Sequence, residues 1–149
     1  MDNIVIKNKK ASHEYEFIEK FTAGMVLEGT EIKSIRQGKA SIMEAYCRIT
    51  DGELLVYNMH ISEYDKGGFT NHNPNRVRKL LLNKSEINRL EKKLKDVGLT
   101  IVPTRLFISQ SGYAKLNVAL SKGKKLFDKR ESLKQNDSKR DIDRAMNRR

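Results

Sequence analysis

Tryptophan is absent from this 149-residue chain, cysteine occurs once, proline twice, and aromatic residues make up only 7% of it. A single thiol, Cys47, can close no intrachain disulfide and supply no multi-cysteine zinc site. Standing between Tyr46 and Arg48 in a strand-like stretch, it reads as a small buried hydrophobe. No apolar run approaches the length of a membrane span, and residues 1–10 lack the apolar stretch of a signal peptide, so a cytoplasmic protein without a membrane partner is expected. Also missing are a Gly-rich phosphate loop, a nucleophile elbow and any Asp, Glu or His cluster at metal-ligand spacing. Neither catalysis nor a metal or cofactor is expected.

Positive charge is what the chain has in excess. It carries 30 Lys and Arg against 19 Asp and Glu, a formal net charge of +11. Such a surplus suits a polyanionic partner, nucleic acid first and an anionic membrane surface second. Its distribution is uneven: residues 1–120 hold 19 basic and 14 acidic groups, whereas residues 121–149 hold 11 basic and 5 acidic. That asymmetry marks residues 1–120 as the body and residues 121–149 as a basic tail.

Within the body, Tyr15, Phe17 and Phe21 share one parity and Glu14, Glu16 and Lys20 the other, which predicts a half-buried strand over residues 13–21. The strand is expected to continue through Gly24, as a bend or bulge, to Leu27. Thr30 is read as the cap of a short helix that turns Ile32 and Ile35 inward and stops at Gly38. Residues 42–49 and 53–61 form two strands joined by Asp51-Gly52, a strong hairpin signal. Residues 64–78, rich in Gly and Asn, form a mobile loop, and the apolar run Leu80-Leu81-Leu82 follows.

Residues 84–97 place Ile87, Leu90, Leu94 and Val97 on one helical stripe, with Asn83 and Glu86 resembling a capping box and Gly98 as the stop. Residues 99–108 and 113–120 give two further strands around Ser111-Gly112. Roughly six strands and two helices, in separate runs, suggest a mainly β protein built as an OB-like closed antiparallel barrel with the two helices packed on it. A monomer is expected.

The tail has no apolar residue between Leu133 and Ile142. Ordering each residue costs about 1–2 kcal/mol of backbone entropy, which so polar a stretch cannot offset alone. After Gly123, however, neither Gly nor Pro forbids a helix, and Phe127 sits among cations as a ring would in an RNA contact. A segment disordered alone and folded on a phosphate surface is one reading; a solvated solubility tail is the other.

Motifs along the chain carry a resemblance. They are Asn8-Lys-Lys-Ala-Ser-His13-Glu-Tyr15, Gly24, Gly29-Thr-Glu31, Lys33-Ser-Ile-Arg36, Gly38-Lys39 and His60-Ile61, then Asn71-His72, Pro74, Arg78-Lys-Leu-Leu-Leu-Asn83, Ala119-Leu-Ser-Lys-Gly-Lys-Lys125 and Asp128-Lys-Arg130. In this order and spacing the chain resembles the SsrA-binding protein (SmpB) family, partners of tmRNA in bacterial ribosome rescue. The resemblance implies binding to the tRNA-like domain of tmRNA, in which the protein stands in for a missing anticodon arm. It also implies a ribosomal partner, with the tail entering the empty mRNA channel of the stalled small subunit as a helix.

By position it assigns tmRNA contacts to Asn8, Lys10, His13, Glu31, Lys33, Arg36, Lys79 and Asn83, and a decoding-centre contact to Tyr46. Lys122, Gly123, Lys124, Lys125, Phe127, Asp128, Lys129 and Arg130 fall on the mRNA-channel tail. Thr22 stands where some members carry a glutamate and Phe127 where others carry His or Tyr, so neither inherits the polar role.

Several of these residues have a plainer reading. Asn83 is explained by its cap position, and Glu31 by pairing with a nearby cation. His13 at the polar start of a strand suits stacking or simple exposure, His60 a core or edge position, and His72 the flexible loop. Tyr15, Tyr57 and Phe107 read as core. Lys33 and Arg36, three apart on a helix, share a face that suits phosphate. A nuclease using His13, Glu14, Glu31 and His60, a general OB-type RNA chaperone and a membrane-surface tail are the rival functions; the last needs an apolar helix face that residues 133–142 lack.

Overall fold

The chain's alternating stretches become strands, in a computed structural model that describes residues 4–123. In order they are β1 (Val5–Lys7), α1 (Lys9–Glu14), β2 (Tyr15–Met25), α2 (Gly29–Arg36), β3 (Ala40–Ser41), β4 (Tyr46–Thr50) and β5 (Glu53–Tyr57). There follow β6 (His60–Ile61), a 3-10 turn (Gly68–Thr70), β7 (Arg78–Leu81), α3 (Lys84–Lys93), β8 (Leu99–Ile108) and β9 (Ala114–Gly123). The tail positions Lys124, Lys125, Phe127, Asp128, Lys129 and Arg130 lie outside the described residues.

Six strands pair antiparallel in the order β8–β4–β5–β7–β2–β9, and β9 pairs β8 again, so the hydrogen bonding runs round a ring. β1 adds to β8 outside that ring, and β3 and β6 form a separate two-stranded sheet. The inward parity of each strand fills the centre: Phe21 and Ala23, Cys47, Leu54 and Val56, Leu80, Ile101 and Leu106, then Leu116, Val118 and Leu120. Ile35 of α2 and Leu90 of α3 enter the same core with no exposed surface. Burial pushes the Cys47 thiol far up from its ordinary value, which keeps it protonated and inert.

The structure is mainly β with three helices, one more than the sequence pattern suggests. The additional one, α1, takes His13, which is therefore on the last turn of a helix and not at the start of a strand. α2 is capped by Glu28 and not Thr30, through a capping box with Glu31. Gly38 does close α2, at a φ of +74° that favours glycine. The Asp51-Gly52 hairpin forms as expected with both residues at positive φ, but its strands are shorter, and His60-Ile61 breaks away to pair with β3.

α3 ends at Lys93, so Leu90 is buried and Val97 is fully exposed; the expected stripe runs one turn too far. Tyr15, Tyr57 and Phe107 are half-buried on the outside of the core. β9 continues through Ser121 and Lys122 to Gly123, past the expected end of the body, because Lys122 pairs with both Glu16 and Leu99 and Gly123 with Tyr15.

Candidate nucleic-acid interface

The best-organised polar site is built around Glu31. Alternation along β7 leaves Lys79 and Leu81 outside and turns Arg78 inward on the parity of Leu80, and α2 lays the equally buried Glu31 against it. Arg78 Nε donates to Glu31 Oε2 at 2.6 Å, and its remaining nitrogens donate to the carbonyls of Met59, Asn73 and Pro74. Arg76 donates to Glu31 Oε1 at 2.6 Å and also pairs with Glu28 at 3.1 Å.

Burial by itself pushes the Glu31 carboxyl up, but hydrogen bonds from Arg76, the Glu28 N–H and Arg78 outweigh it and hold the group below its ordinary value. Burial moves Arg78 down and the Glu31 hydrogen bond moves Arg76 up; both stay cationic. Glu31 thus has its oxygens occupied from inside the protein. It is the cation-paired structural residue, and no surface of it faces a ligand.

The same network fastens residues 62–77 to α2. His72, far from being loose, is 4% exposed: its Nε2 donates to the Ile61 carbonyl at 2.9 Å, and in the neutral ring Nδ1 then accepts from the Thr30 hydroxyl at 2.8 Å. Asn71 closes the loop by accepting from the Tyr64 and His72 N–H groups and donating to the Tyr64 carbonyl.

On the opposite face of α2 the charges point outward. Lys33 and Arg36 are exposed, Lys33 Nζ lies 5.4 Å from the centre of the Tyr64 ring, and Arg36 Nη2 donates to the Gly112 carbonyl at 3.3 Å. The helix therefore offers two exposed cations whose charged ends are steadied by the Tyr64 ring and the Gly112 carbonyl, and which can meet phosphate oxygens.

The other expected contacts fall elsewhere. Asn8 is 4% exposed and fully engaged: Nδ2 donates to the carbonyls of Ile42 and Pro103, both at 2.9 Å, while Oδ1 accepts from the Ala11 N–H as the cap of α1. That makes it an internal clamp, not an exposed RNA contact. Lys10 pairs with Glu44 and lines, with Asn8, Tyr15 and Tyr46, an open cleft of about 290 Å³. Tyr46 stacks on Tyr57 with ring centres 5.4 Å apart, and Arg48 lies 5.9 Å from the Tyr46 ring.

His13 is exposed on α1. Lys79 is exposed on β7 and ion-paired with Glu53 at 3.1 Å. Asn83 caps α3 through the expected box with Glu86 and is exposed as well. Lys122 and Gly123 close β9. His60 is an exposed edge residue beside Asn75.

Sequence reading missed a second basic surface. Lys7, Lys9, Lys20 and Arg105 come from β1, α1, β2 and β8 to line an open cleft of about 460 Å³, with Phe17 and the hydrogen-bonded pair Thr22–Asn117 in its wall. Lys20 lies 5.7 Å from the Phe17 ring centre, and Arg105 lies 4.8 Å from that of Phe107. The register Lys7↔Arg105 creates this cluster, and no local motif announces it. Among the described residues no group of three or more His, Cys, Asp or Glu could hold a metal ion, and no helix is long and apolar enough to cross a membrane.

Comparison with known proteins agrees with this arrangement. Residues 5–148 match the family model described as SmpB protein. The SsrA-binding protein of Phocaeicola vulgatus is 60% identical over 145 residues, covering 97% of each chain. That of Cytophaga hutchinsonii is 58% identical over 142 residues, covering 95% of this chain and 93% of the relative. A solved structure described as "tmRNA-SmpB: a journey to the center of the bacterial ribosome" contains a chain that superposes with a TM-score of 0.71 at 44% identity, over 85% of this chain and 89% of that one. The chain belongs to the SmpB protein family.

Proposed function

We propose that the chain binds tmRNA by its tRNA-like domain and delivers it to stalled ribosomes for trans-translation. In this reading the ring of strands is an OB-like barrel that takes the place of the missing anticodon arm. The observation that carries the reading is the exposed Lys33–Arg36 face of a helix fixed by a buried carboxylate and two guanidiniums, in a chain that is SmpB-like over most of its length. Relatives named for SsrA binding, and a neighbour described with tmRNA and the bacterial ribosome, support the same partners here.

Lys33 and Arg36 then contact phosphates, His13, Lys79 and Asn83 add separate contacts, and Tyr46 faces the decoding centre. Lys10 contributes only after exchanging its Glu44 partner. Residues 124–149 enter the empty mRNA channel and become helical there. The role is binding and positioning, not catalysis.

The test is selectivity. A folded tRNA-like domain with its D-loop/T-loop elbow should bind far better than plain duplex or single strand at physiological salt. Equal binding to all three would make the chain a general RNA chaperone. Replacing Lys33 and Arg36 by Ala should weaken binding and lower the log–log salt slope by roughly one unit for each phosphate no longer neutralised; an unchanged slope would move the phosphate-binding surface elsewhere.

A further inference from the structure

Two segments from distant parts of the chain meet α2 near the Lys33–Arg36 face, and each carries an exposed aromatic ring. In one, Gly67 packs against the first turn of α2, so closely that a Cβ there would lie 3.1 Å from Thr30 Cγ2. Two residues on, Phe69 projects from the 3-10 turn with a relative exposure of 109%. At the other, Arg36 reaches the carbonyl of Gly112, and the next residue, Tyr113, is 68% exposed. Tyr64, beneath Lys33, belongs to the same loop as Phe69, and its carbonyl accepts from the Gly67 N–H.

A singly exposed Phe is ordinary on a protein surface. What distinguishes Phe69 is that its loop is not slack. The Thr70 hydroxyl donates to the Gly67 carbonyl at 2.9 Å, the Gly67 N–H donates to the Tyr64 carbonyl at 2.9 Å, Asn71 ties back to Tyr64, and His72 is buried behind them. The ring is held out by a well hydrogen-bonded loop. Glu63, Asp65 and Lys66 are exposed on the same loop with a net charge of −1, so the positive surplus at this face comes from Lys33 and Arg36.

We propose that Phe69 and Tyr113 are base-stacking platforms on either side of the Lys33–Arg36 phosphate track. This rests on the reading of the chain as a tmRNA binder and narrows its ligand. Base faces are hidden inside a continuous duplex and become available only where loops splay them out. A surface that alternates ring, cation, cation, ring therefore takes a phosphate segment with an unpaired base at each end, as the loops of a tRNA-like elbow present, and rejects a plain helix wall. Stacking tolerates any base, so the platforms select RNA shape and not sequence.

The experiment measures affinity of the full chain for the tmRNA tRNA-like domain across a KCl series. The variants are Phe69→Ala, Tyr113→Ala, the double variant, and the ring-retaining Phe69→Trp and Tyr113→Phe. Each alanine should weaken binding roughly 5- to 150-fold, the loss expected per stacked base, with the salt slope unchanged. The ring-retaining variants should bind as the parent does. Removing the stacked base, by an abasic loop nucleotide, should weaken the parent and leave the matching alanine variant no weaker than before.

Both rings are exposed, so the alanine variants should melt at the parental temperature. Parental affinity in the double alanine variant overturns the stacking proposal alone, as does a loss accompanied by a smaller salt slope or one that Phe69→Trp and Tyr113→Phe share. A parent chain that binds plain duplex as well as the tRNA-like domain removes the underlying reading too.

Discussion

Replacing the Glu31 carboxylate by an amide of the same size would leave Arg78 without its charge partner in a position with no exposed surface. Breaking one side of a buried ion pair costs about 3–5 kcal/mol, so Glu31→Gln should lower the urea midpoint by an amount equivalent to that range. The pH dependence follows from the same group. Its folded pKa lies below the ordinary carboxylate value, so its contribution is complete above the unfolded pKa of about 4.3 and is lost as pH falls through the lowered folded value. Stability should therefore decline through that acidic window in the parent and decline less steeply in Glu31→Gln; urea titrations between about pH 2.5 and 7 read the difference.

At this scale the sequence was partly legible. Glu31 and Cys47 could be placed by chemistry: a carboxylate is out of place on an RNA face, and a lone thiol in a strand is a hydrophobe. Arg78 also left a signal, its shared parity with Leu80, which a reader of charge alone passes over. Asn8 left none, because its partners Ile42 and Pro103 are 34 and 95 residues away.

Among the elements, α3 allows the cap and RNA-binding roles of Asn83 to be separated. Asn83→Ala removes the side-chain half of the capping box and should cost about 1 kcal/mol. Asn83→Asp keeps an acceptor in the same place and adds a charge that the helix N-terminus favours, so stability should hold. The same charge repels phosphate. If Asn83 also touches tmRNA, the aspartate variant should bind more weakly at parental stability; parental binding would leave Asn83 a cap alone.

Elements whose cause is local were readable: the Asp51-Gly52 hairpin needs two consecutive positive φ values, and the box at Asn83 is a four-residue pattern. α1 was not readable, because Lys9–Glu14 carries one buried residue, Ala11, and is held by a cap anchored from distant parts of the chain. The β3–β6 pair and the Lys7–Lys9–Lys20–Arg105 cleft share that origin in long-range register.

For the whole molecule, the division of charge suggests a body of residues 1–120 and a tail of residues 121–149, and β9 bears on where one can be cut from the other. Lys122 and Gly123 are strand residues that extend β9 along its neighbours, and the buried Ser121 pairs with Phe17 and Thr100. A truncation at residue 120 would thus unzip the end of the ring and lose stability for reasons unrelated to the tail. A chain ending at Gly123 removes the tail and leaves every described pairing of β9 intact.

That shortened chain should melt close to the parent and bind the tRNA-like domain with nearly parental affinity, since Lys33, Arg36 and their supports all lie within residues 4–123. It sheds 10 basic and 5 acidic residues, a net +5, so a modest loss of affinity that vanishes at high salt is the most that charge alone would produce. If the tail occupies the mRNA channel as proposed, peptide tagging on stalled ribosomes should nevertheless be abolished. Affinity that falls sharply at all salt concentrations would move the tmRNA site into the tail. Tagging that persists would remove the tail's sensing role while leaving the α2 interface standing.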